Sequence, residues 1–392
     1  MTKNNKNISN NTNSEKFQFS NIITISLAHL LHDIFTSFLA PVLPLLISRF
    51  GISLTLSSFL NVVQRIPSLI SPFIGLLADK VTLRYLVIVS PAITAISMSL
   101  LGVAPSYIFL VVLLLVTGLS SIFFHVPSPV MIKKVSGNKP GMGMSFYMLG
   151  GELARTLGPL TILGAISLWG FEGTYKLIPF ALLASFIIFL KLRKISIYKE
   201  FVKQNKKETS FKTFTKFLPF FSYLAIFLFF TSMLKSGIAF FLPKYLTDQG
   251  ETLWFGGIAL SIFQFSGAIG TFLSGTISDY IGRKKILMIT SVFTPVLMLL
   301  FIKTSGTIFT FPILILLGIF CFANTPVILS MVNNLDTDRP AFFNGIFFTI
   351  GFFIGAVAIM IVGAFGDWIG LENTFLLSSV FAIGALFVIH KL

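Results

Sequence analysis

Charge is what this 392-residue chain has least of: 11% of its residues are charged against 55% apolar, and only 14 are acidic. A soluble domain carries about 25% charged residues. With 46 Phe and a mean hydropathy of +0.90, too little polar surface remains to cover a water-soluble globule. That excludes a cytosolic enzyme and a disordered chain alike. Cysteine is nearly absent; the single Cys321 lies in an apolar run, so an intrachain disulfide and a cysteine metal cluster are excluded. An early apolar stretch is missing too. Residues 1–19 are rich in Asn and Lys, with no apolar core before Ile22, and read as a disordered cytoplasmic tail rather than a signal peptide. Catalytic signatures are lacking: there is no His-Glu-x-x-His pair, no Gly-x-Ser-x-Gly elbow and no Gly-x-x-x-x-Gly-Lys-Ser/Thr phosphate loop. An ATP-driven pump and an intramembrane enzyme built on His29, His32, Asp33 and His125 are therefore disfavoured. No cofactor and no metal are expected.

What the chain does have is long apolar blocks. They recur at 20–48, 53–78, 84–104, 106–132, 141–168 and 172–194, then at 218–243, 253–278, 285–303, 307–333, 340–365 and 371–390. A spanning helix needs about 20 apolar residues. The expected fold class is an all-α membrane protein with twelve transmembrane helices: a six-helix bundle over 20–194, a cytoplasmic linker over 195–217, and a second bundle over 218–392. The two bundles repeat at an offset of 200. Gln64, Gly75 and Asp79 recur as Gln264, Gly275 and Asp279, and Pro140 and Gly151 as Pro340 and Gly351. Pro44 and Gly51 recur one residue out of step, at Pro243 and Gly250. With both termini in the cytoplasm, 22 Lys and Arg fall on inside faces and four outside (Arg49, Lys176, Lys244 and Lys303). That bias sets the orientation of a multi-pass protein of the cell inner (plasma) membrane. The lysine-rich 191–216 connector is thus read as positive-inside anchoring against anionic lipid, not as a nucleic-acid patch.

The segment after the second block reads Gly75-Leu-Leu-Ala-Asp79-Lys80; after the eighth it reads Gly275-Thr-Ile-Ser-Asp279-Tyr-Ile-Gly282-Arg283-Lys284-Lys285. Glycine lets helices approach closely, and an Asp at a helix end can meet a facing helix N-terminus or an Arg. These residues resemble the signature loop of the major facilitator superfamily. The resemblance implies two pseudo-symmetric bundles rocking about a central site, with Gly75, Asp79, Arg84, Gly275, Asp279, Gly282 and Arg283 forming a cytoplasmic gate. The first copy departs from the pattern at Thr82 and Leu83. Within the superfamily, the first bundle is similar to the fosmidomycin-resistance-type exporters. The matching stretches are His29-Leu-Leu-His32-Asp33, Ser120-Ser-Ile-Phe-Phe-His125 and Gly150-Gly151 through Gly158-Pro159. Val126 stands between His125 and Pro127, where those exporters place Pro directly after the His.

Five charges fall inside the apolar blocks: Asp33, Arg65, Glu152, Arg155 and Lys235. Each costs about 2.5–3.5 kcal/mol at the bilayer centre on insertion scales, so they must pair or face water. Helical spacing puts Ser26, His29, Asp33 and Ser37 on one stripe, and Asn61, Gln64, Arg65, Ser68 and Ser71 on another. Thr117, Ser121 and His125 form a third, and Glu152 and Arg155 lie three apart. His29 and His32 point 60° apart around their helix, so at least one is expected to be a packing residue. Glu152–Arg155 could instead be a buried pair fixing helix packing, and Lys235 could snorkel to the outer surface. At the 200 offset Arg65, His125, Glu152 and Arg155 become Phe265, Thr325, Phe352 and Gly355. Charges on one bundle only point to function.

The expectation is a secondary active transporter that exports a small anionic or amphipathic compound in exchange for protons by alternating access. Asp33, Glu152 and His125 are the candidate proton-coupling groups. Arg65, Arg155, Gln64, Asn61, His29, Lys235 and Gln264 are candidates for binding substrate, since an Arg fork suits carboxylate or phosphonate. Proton-coupled uptake of a small organic anion, and a non-transporting receptor on the same fold, are the alternatives. The expected partners are a small-molecule substrate, protons and the lipid bilayer; no nucleic acid is expected, and the protein is expected to be monomeric.

Overall fold

The computed structural model describes residues 17–71, 74, 84–193, 210–336 and 340–392. Every regular element among them is helical. Lipid offers no partner to a backbone N–H or C=O, so a spanning chain closes its hydrogen bonds within each helix. Among the described residues, nine helical stretches are long and apolar enough to cross a membrane. They present large apolar side chains outward, such as Phe272, Phe387 and Ile108, as a lipid-facing surface requires.

The N-terminal helices are α1 (Phe19–Thr36), α2 (Leu39–Phe50), α3 (Leu54–Arg65), α4 (Arg84–Ser99), α5 (Tyr107–His125), α6 (Ser128–Val135), α7 (Pro140–Trp169) and α8 (Leu177–Leu192). After them come α9 (Ser210–Asp248), α10 (Leu253–Ile281), α11 (Arg283–Thr304), α12 (Thr310–Asn333), α13 (Pro340–Ala382) and α14 (Leu386–Ile389). Side-chain caps start several of them. Ser53 accepts from Leu56 N, Ser106 from Phe109 N and Thr252 from Phe255 N.

Several expected spans are broken in ways the apolar pattern hides. The 20–48 block is two helices. The Thr36 and Ser37 hydroxyls both bond the Asp33 carbonyl, and Phe38 N turns back to Phe35 O, which kinks the chain directly after Asp33. The 106–132 block breaks at Val126–Pro127, between α5 and α6. The last two blocks run together as α13, which is interrupted where Gly370 takes a positive φ of 81°. Helix α9 begins at Ser210, inside the stretch expected to be linker. The remaining linker residues described lie in helix as well, while 195–209 and the tail residues 1–16 fall outside the described residues.

Among the described residues, packing places the N-terminal and C-terminal helices against each other at one end only. A single apolar cluster draws on both sets: Leu43, Leu60 and Leu163 share it with Leu242, Leu260 and Val362. Two further clusters stay apart. One joins Ile22, Val87, Phe124 and Ile132; the other joins Phe221, Leu287, Val327 and Ile389. The molecule is therefore closed around Leu54 and Asp367 and parted toward Val135 and Val332. Helix α7 packs on α10, and α3 on α13, across the closed end.

Candidate functional site

Asp33 sits in the middle of a cluster drawn from α1, α5, α6 and α7. Its Oδ1 lies 2.9 Å from His32 Nδ1 and 3.1 Å from His125 Nε2, and its Oδ2 lies 3.2 Å from His29 Nε2. The Asp33 side chain is only 9% exposed, whereas that of His125 is 37% exposed. His125 is thus the face of the cluster that meets solvent, while Thr117, on the same expected stripe, is fully buried.

Hydrogen-bond accounting limits where the protons can sit. His29 Nδ1 lies 2.8 Å from the backbone carbonyl of Tyr147. A carbonyl only accepts, so that nitrogen carries hydrogen. His29 Nε2 then faces Asp33 Oδ2, and two lone pairs repel at that distance. A proton between them, on the imidazole or on the carboxyl, would satisfy both. His32 needs no such proton: its Nδ1 donates to Asp33, and its buried Nε2 has no hydrogen-bond partner. On the solvent side, Tyr147 Oη lies 3.4 Å from His125 Nδ1 and 2.7 Å from Ser128 Oγ. The rings are held tightly. His29 stacks on Tyr147 at 4.0 Å between centroids, and His32 on Phe124 at 4.7 Å.

The donor atoms of His29, Asp33 and His125 all lie within 4.8 Å of one another, a spacing that could also accommodate a cation. Each of them already has a partner inside the cluster, so hydrogen bonds account for the contacts.

The second group of charges faces the parting between the two sets of helices. Arg155 Nη1 meets both Glu152 oxygens, at 3.1 and 3.2 Å, with the Arg side chain 41% and the Glu 23% exposed. Arg65, at the end of α3, is solvent-accessible and yet deep in the protein, within electrostatic reach of Arg155. Lys235 reaches in from α9. Its ammonium lies 4.3 Å from the Phe322 ring centre and 3.3 Å from Thr325 Oγ1, within electrostatic reach of Arg65, Glu152 and Arg155. A cation on an aromatic face inside the molecule is not snorkelling to a surface. Three basic groups and one acid from α3, α7 and α9 thus converge on one cleft.

Other expected positions are placed differently. His29, expected against substrate, is 4% exposed and wholly engaged by Asp33 and Tyr147. Asn61 is 8% exposed, because α3 turns it inward with Leu60 and Ser57. Gln64 spends its amide on the Thr36 carbonyl, 3.1 Å away, tying α3 to the α1 kink. Gln264 is half-buried on α10. Of the expected gate, Gly75 and Asp79 lie outside the described residues. Arg84 stacks on Tyr85, with 4.8 Å from its guanidinium to the ring centre. The second copy is visible. Gly275 is half-buried, and Gly282 ends α10 with φ 98°. Asp279 is exposed beside an open cavity of about 700 Å³ that Phe220 and Lys285 also line. Arg283 places two guanidinium nitrogens 2.7 and 3.0 Å from the Asn334 amide oxygen, once that amide is turned to face it.

Sequence reasoning missed Tyr147 and Ser128, which complete the Asp33 cluster. It also missed the polar ties across the closed end. Asp367 accepts from Leu54 N (2.7 Å), Thr55 N (2.9 Å) and Thr55 Oγ1 (2.6 Å), Trp254 Nε1 donates to Ser167 Oγ (2.8 Å), and Ser58 Oγ donates to Ile359 O (2.9 Å). The offset of 200 was the available signal: Ser167 and Asp367 correspond, as do Leu54 and Trp254.

An all-helical chain, charges converging on a cleft between two packed sets of helices, and a family model that matches residues 25–359 decide the assignment. The chain belongs to the Major Facilitator Superfamily. It is a transporter and not an enzyme, and a multi-pass membrane protein that works on a small-molecule substrate. Among its relatives, the fosmidomycin resistance protein of Escherichia coli (strain K12) is 25% identical over 365 residues, 92% of this chain and 90% of that one. The multi-drug resistance efflux pump PmrA of Streptococcus pneumoniae serotype 4 (strain ATCC BAA-334 / TIGR4) is 24% identical over 348 residues, 84% of this chain and 86% of that one. A bacterial homolog of the human lysosomal transporter Spinster, solved inward-facing and unoccupied, superposes with a TM-score of 0.79 at 16% identity, covering 96% of this chain and 97% of that one. Superfamily membership fits the parted, one-end-closed arrangement described above.

Proposed function

We propose that this transporter exports a small anionic or amphipathic compound across the inner membrane in exchange for protons. Twelve spans form two pseudo-symmetric bundles, 20–194 and 218–392, joined by the cytoplasmic stretch 195–217, with both termini inside. The Lys and Arg distribution then puts the closed end around Leu54 and Asp367 outside and the parted end in the cytoplasm. One observation carries the reading. Asp33 lies 3.2 Å from His29 Nε2 and 3.1 Å from His125 Nε2, whose side chain is 37% exposed, while Arg65, Arg155 and Lys235 gather in the adjoining cleft. His125 gives the buried carboxylate a path to solvent, and the Arg groups offer an anion its planar, bidentate partners. A charge arriving there changes the cost of holding a proton on the Asp33 cluster, and exchange requires that the substrate displace that proton. Substrate arrival and proton affinity are therefore linked, and linkage of this kind is reciprocal.

The similarity to a drug-resistance protein and to a multi-drug resistance efflux pump supports export. The test is transport by the purified full chain in proteoliposomes, with a pH gradient imposed and lumenal pH followed by a trapped dye. Substrates come from a thermal-stability screen of phosphonates, carboxylates and amphipathic drugs, since a ligand of the native state raises stability. Asp33→Asn should leave binding measurable and abolish substrate-driven proton movement. Proton movement unchanged in Asp33→Asn overturns the assignment.

A further inference from the structure

A transporter that alternates between two open states must hold one end shut while the other opens, and the shut end of this molecule has a specific construction. Asp367, near the end of the α13 segment that precedes Gly370, reaches across to the first turn of α3. Its two oxygens accept from Leu54 N, Thr55 N and the Thr55 hydroxyl. Leu54 and Thr55 are the first two residues of a 12-residue helix, whose N-terminal N–H groups have no partner within the helix itself. A carboxylate there meets both the free donors and the positive end of the helix dipole. Ser53 is the cap supplied by α3 itself, through its bond from Leu56 N. Asp367 is thus a second cap, provided by a different part of the chain 313 residues from Leu54.

Packing beneath this contact is equally close. A Cβ placed on Gly363, one turn before Asp367, would lie 2.1 Å from Ser58 Oγ and 2.7 Å from Leu54 O. Helices α3 and α13 therefore touch backbone to backbone. Positions 200 residues away repeat the pattern between α7 and α10. Ser167 takes the place of Asp367 and accepts from Trp254, which takes the place of Leu54; Leu163 takes the place of Gly363 and packs into Gly257, where a Cβ would lie 2.0 Å from Leu163 Cδ1. The second contact carries no charge. The two ends of the interface are unequal, and the ionic one can be strengthened or lost by a single side chain.

We infer that Asp367 is a positioning residue that sets the balance between the two access states, by capping α3 in trans whenever the Leu54 end is closed. Opening that end must uncap Leu54 N and Thr55 N, and water replaces Asp367 at both. The carboxylate therefore stabilises the closed end alone, and its removal shifts the balance toward opening there. The inference deepens the transport reading above and rests on it for the meaning of the two states. The contact itself does not depend on which side of the membrane the end faces.

The experiment uses the purified full chain in detergent or lipid nanodiscs, without substrate or pH gradient. In a Cys321→Ala background, spin labels go on Val103→Cys, the last residue of a short 3-10 turn, and Ile308→Cys, in a loop, exposed positions at the closed end, and their separation is read by double electron–electron resonance. Parent protein should give a short distance. Asp367→Asn should add a longer population, raising the open-to-closed ratio roughly tenfold, the worth of a charge-assisted hydrogen bond. Thr55→Val removes one of the three donors without touching the carboxylate and should raise the ratio severalfold; it also carries the test if Asp367→Asn does not fold. Asp248→Asn, an exposed acid paired within its own helix to Lys244, should leave the distances unchanged. Unaltered distances in both Asp367→Asn and Thr55→Val overturn the inference, as does an equal shift in Asp248→Asn. A fall in thermal stability with unchanged distances would leave Asp367 a structural tie and would overturn it too. Failure of proton exchange in proteoliposomes, with the distance shift present, would sink the transport mechanism and leave the latch standing.

Discussion

Gly151 carries no ionisable group, and its replacement should nonetheless disable the proton site. A Cβ at this position would lie 2.5 Å from His29 Cε1 and 2.8 Å from His29 Nε2. Carbon atoms rest at about 3.5–4.0 Å, so the imidazole must retreat by roughly 1 Å. It cannot retreat freely, because Tyr147 is stacked 4.0 Å from its centre and Nδ1 is held at 2.8 Å by the Tyr147 carbonyl. Gly151→Ala therefore strains the ring or breaks its bond to Asp33. Overpacking costs about 1–3 kcal/mol and a lost hydrogen bond to a charged group about 1.5–3 kcal/mol. Against this stands a helix-propensity gain of about 1 kcal/mol. If both costs apply, the net loss is about 1.5–5 kcal/mol on these magnitudes. Gly164, thirteen residues on in the same helix, has nothing within 4 Å of its Cβ position, so Gly164→Ala keeps the propensity gain alone. Thermal unfolding of both variants, followed by proton exchange in proteoliposomes, checks the argument. Gly151→Ala should unfold at a lower temperature and lose pH dependence, and Gly164→Ala should do neither. Equal behaviour of the two variants would refute the close packing of His29.

Arg155→Gln leaves Glu152 without the partner it meets at 3.1 Å. If the pair serves the substrate site, binding of an anionic ligand should weaken by about tenfold or more, read by thermal shift against ligand concentration. If the pair only fixes packing, stability should fall with affinity unchanged. Within the C-terminal helices, Thr290 Oγ1 donates to Asn324 Oδ1 at 2.5 Å, and both residues are buried. Thr290→Val should cost about 1 kcal/mol, in the range of interhelical hydrogen bonds measured in membranes, seen as a lower unfolding temperature without change in transport.

Some of this molecule is written in the order of its residues alone. Helical class follows from the scarcity of charge and the length of the apolar blocks, since a bilayer admits little else. Glu152 and Arg155 meet because three residues on a helix bring them to one face, whereas of the stripe Thr117, Ser121 and His125 the first is fully buried and His125 reaches solvent. Local geometry sufficed for the pair because period and spacing are properties of a single helix. His29 shows the limit. Its stripe joined it to Asp33, and the bond between them is real, but whether it faced substrate or core depended on α7, which lays the Tyr147 carbonyl and the glycine at 151 against its ring. Only packing decided that. The breaks after Asp33 and His125 were likewise invisible in the hydropathy, because apolar residues continue on both sides of each. Least legible was the tie between Asp367 and the start of α3. A carboxylate near a helix end has many conceivable partners, and which one it takes is settled by where two helices 313 residues apart come to rest against each other.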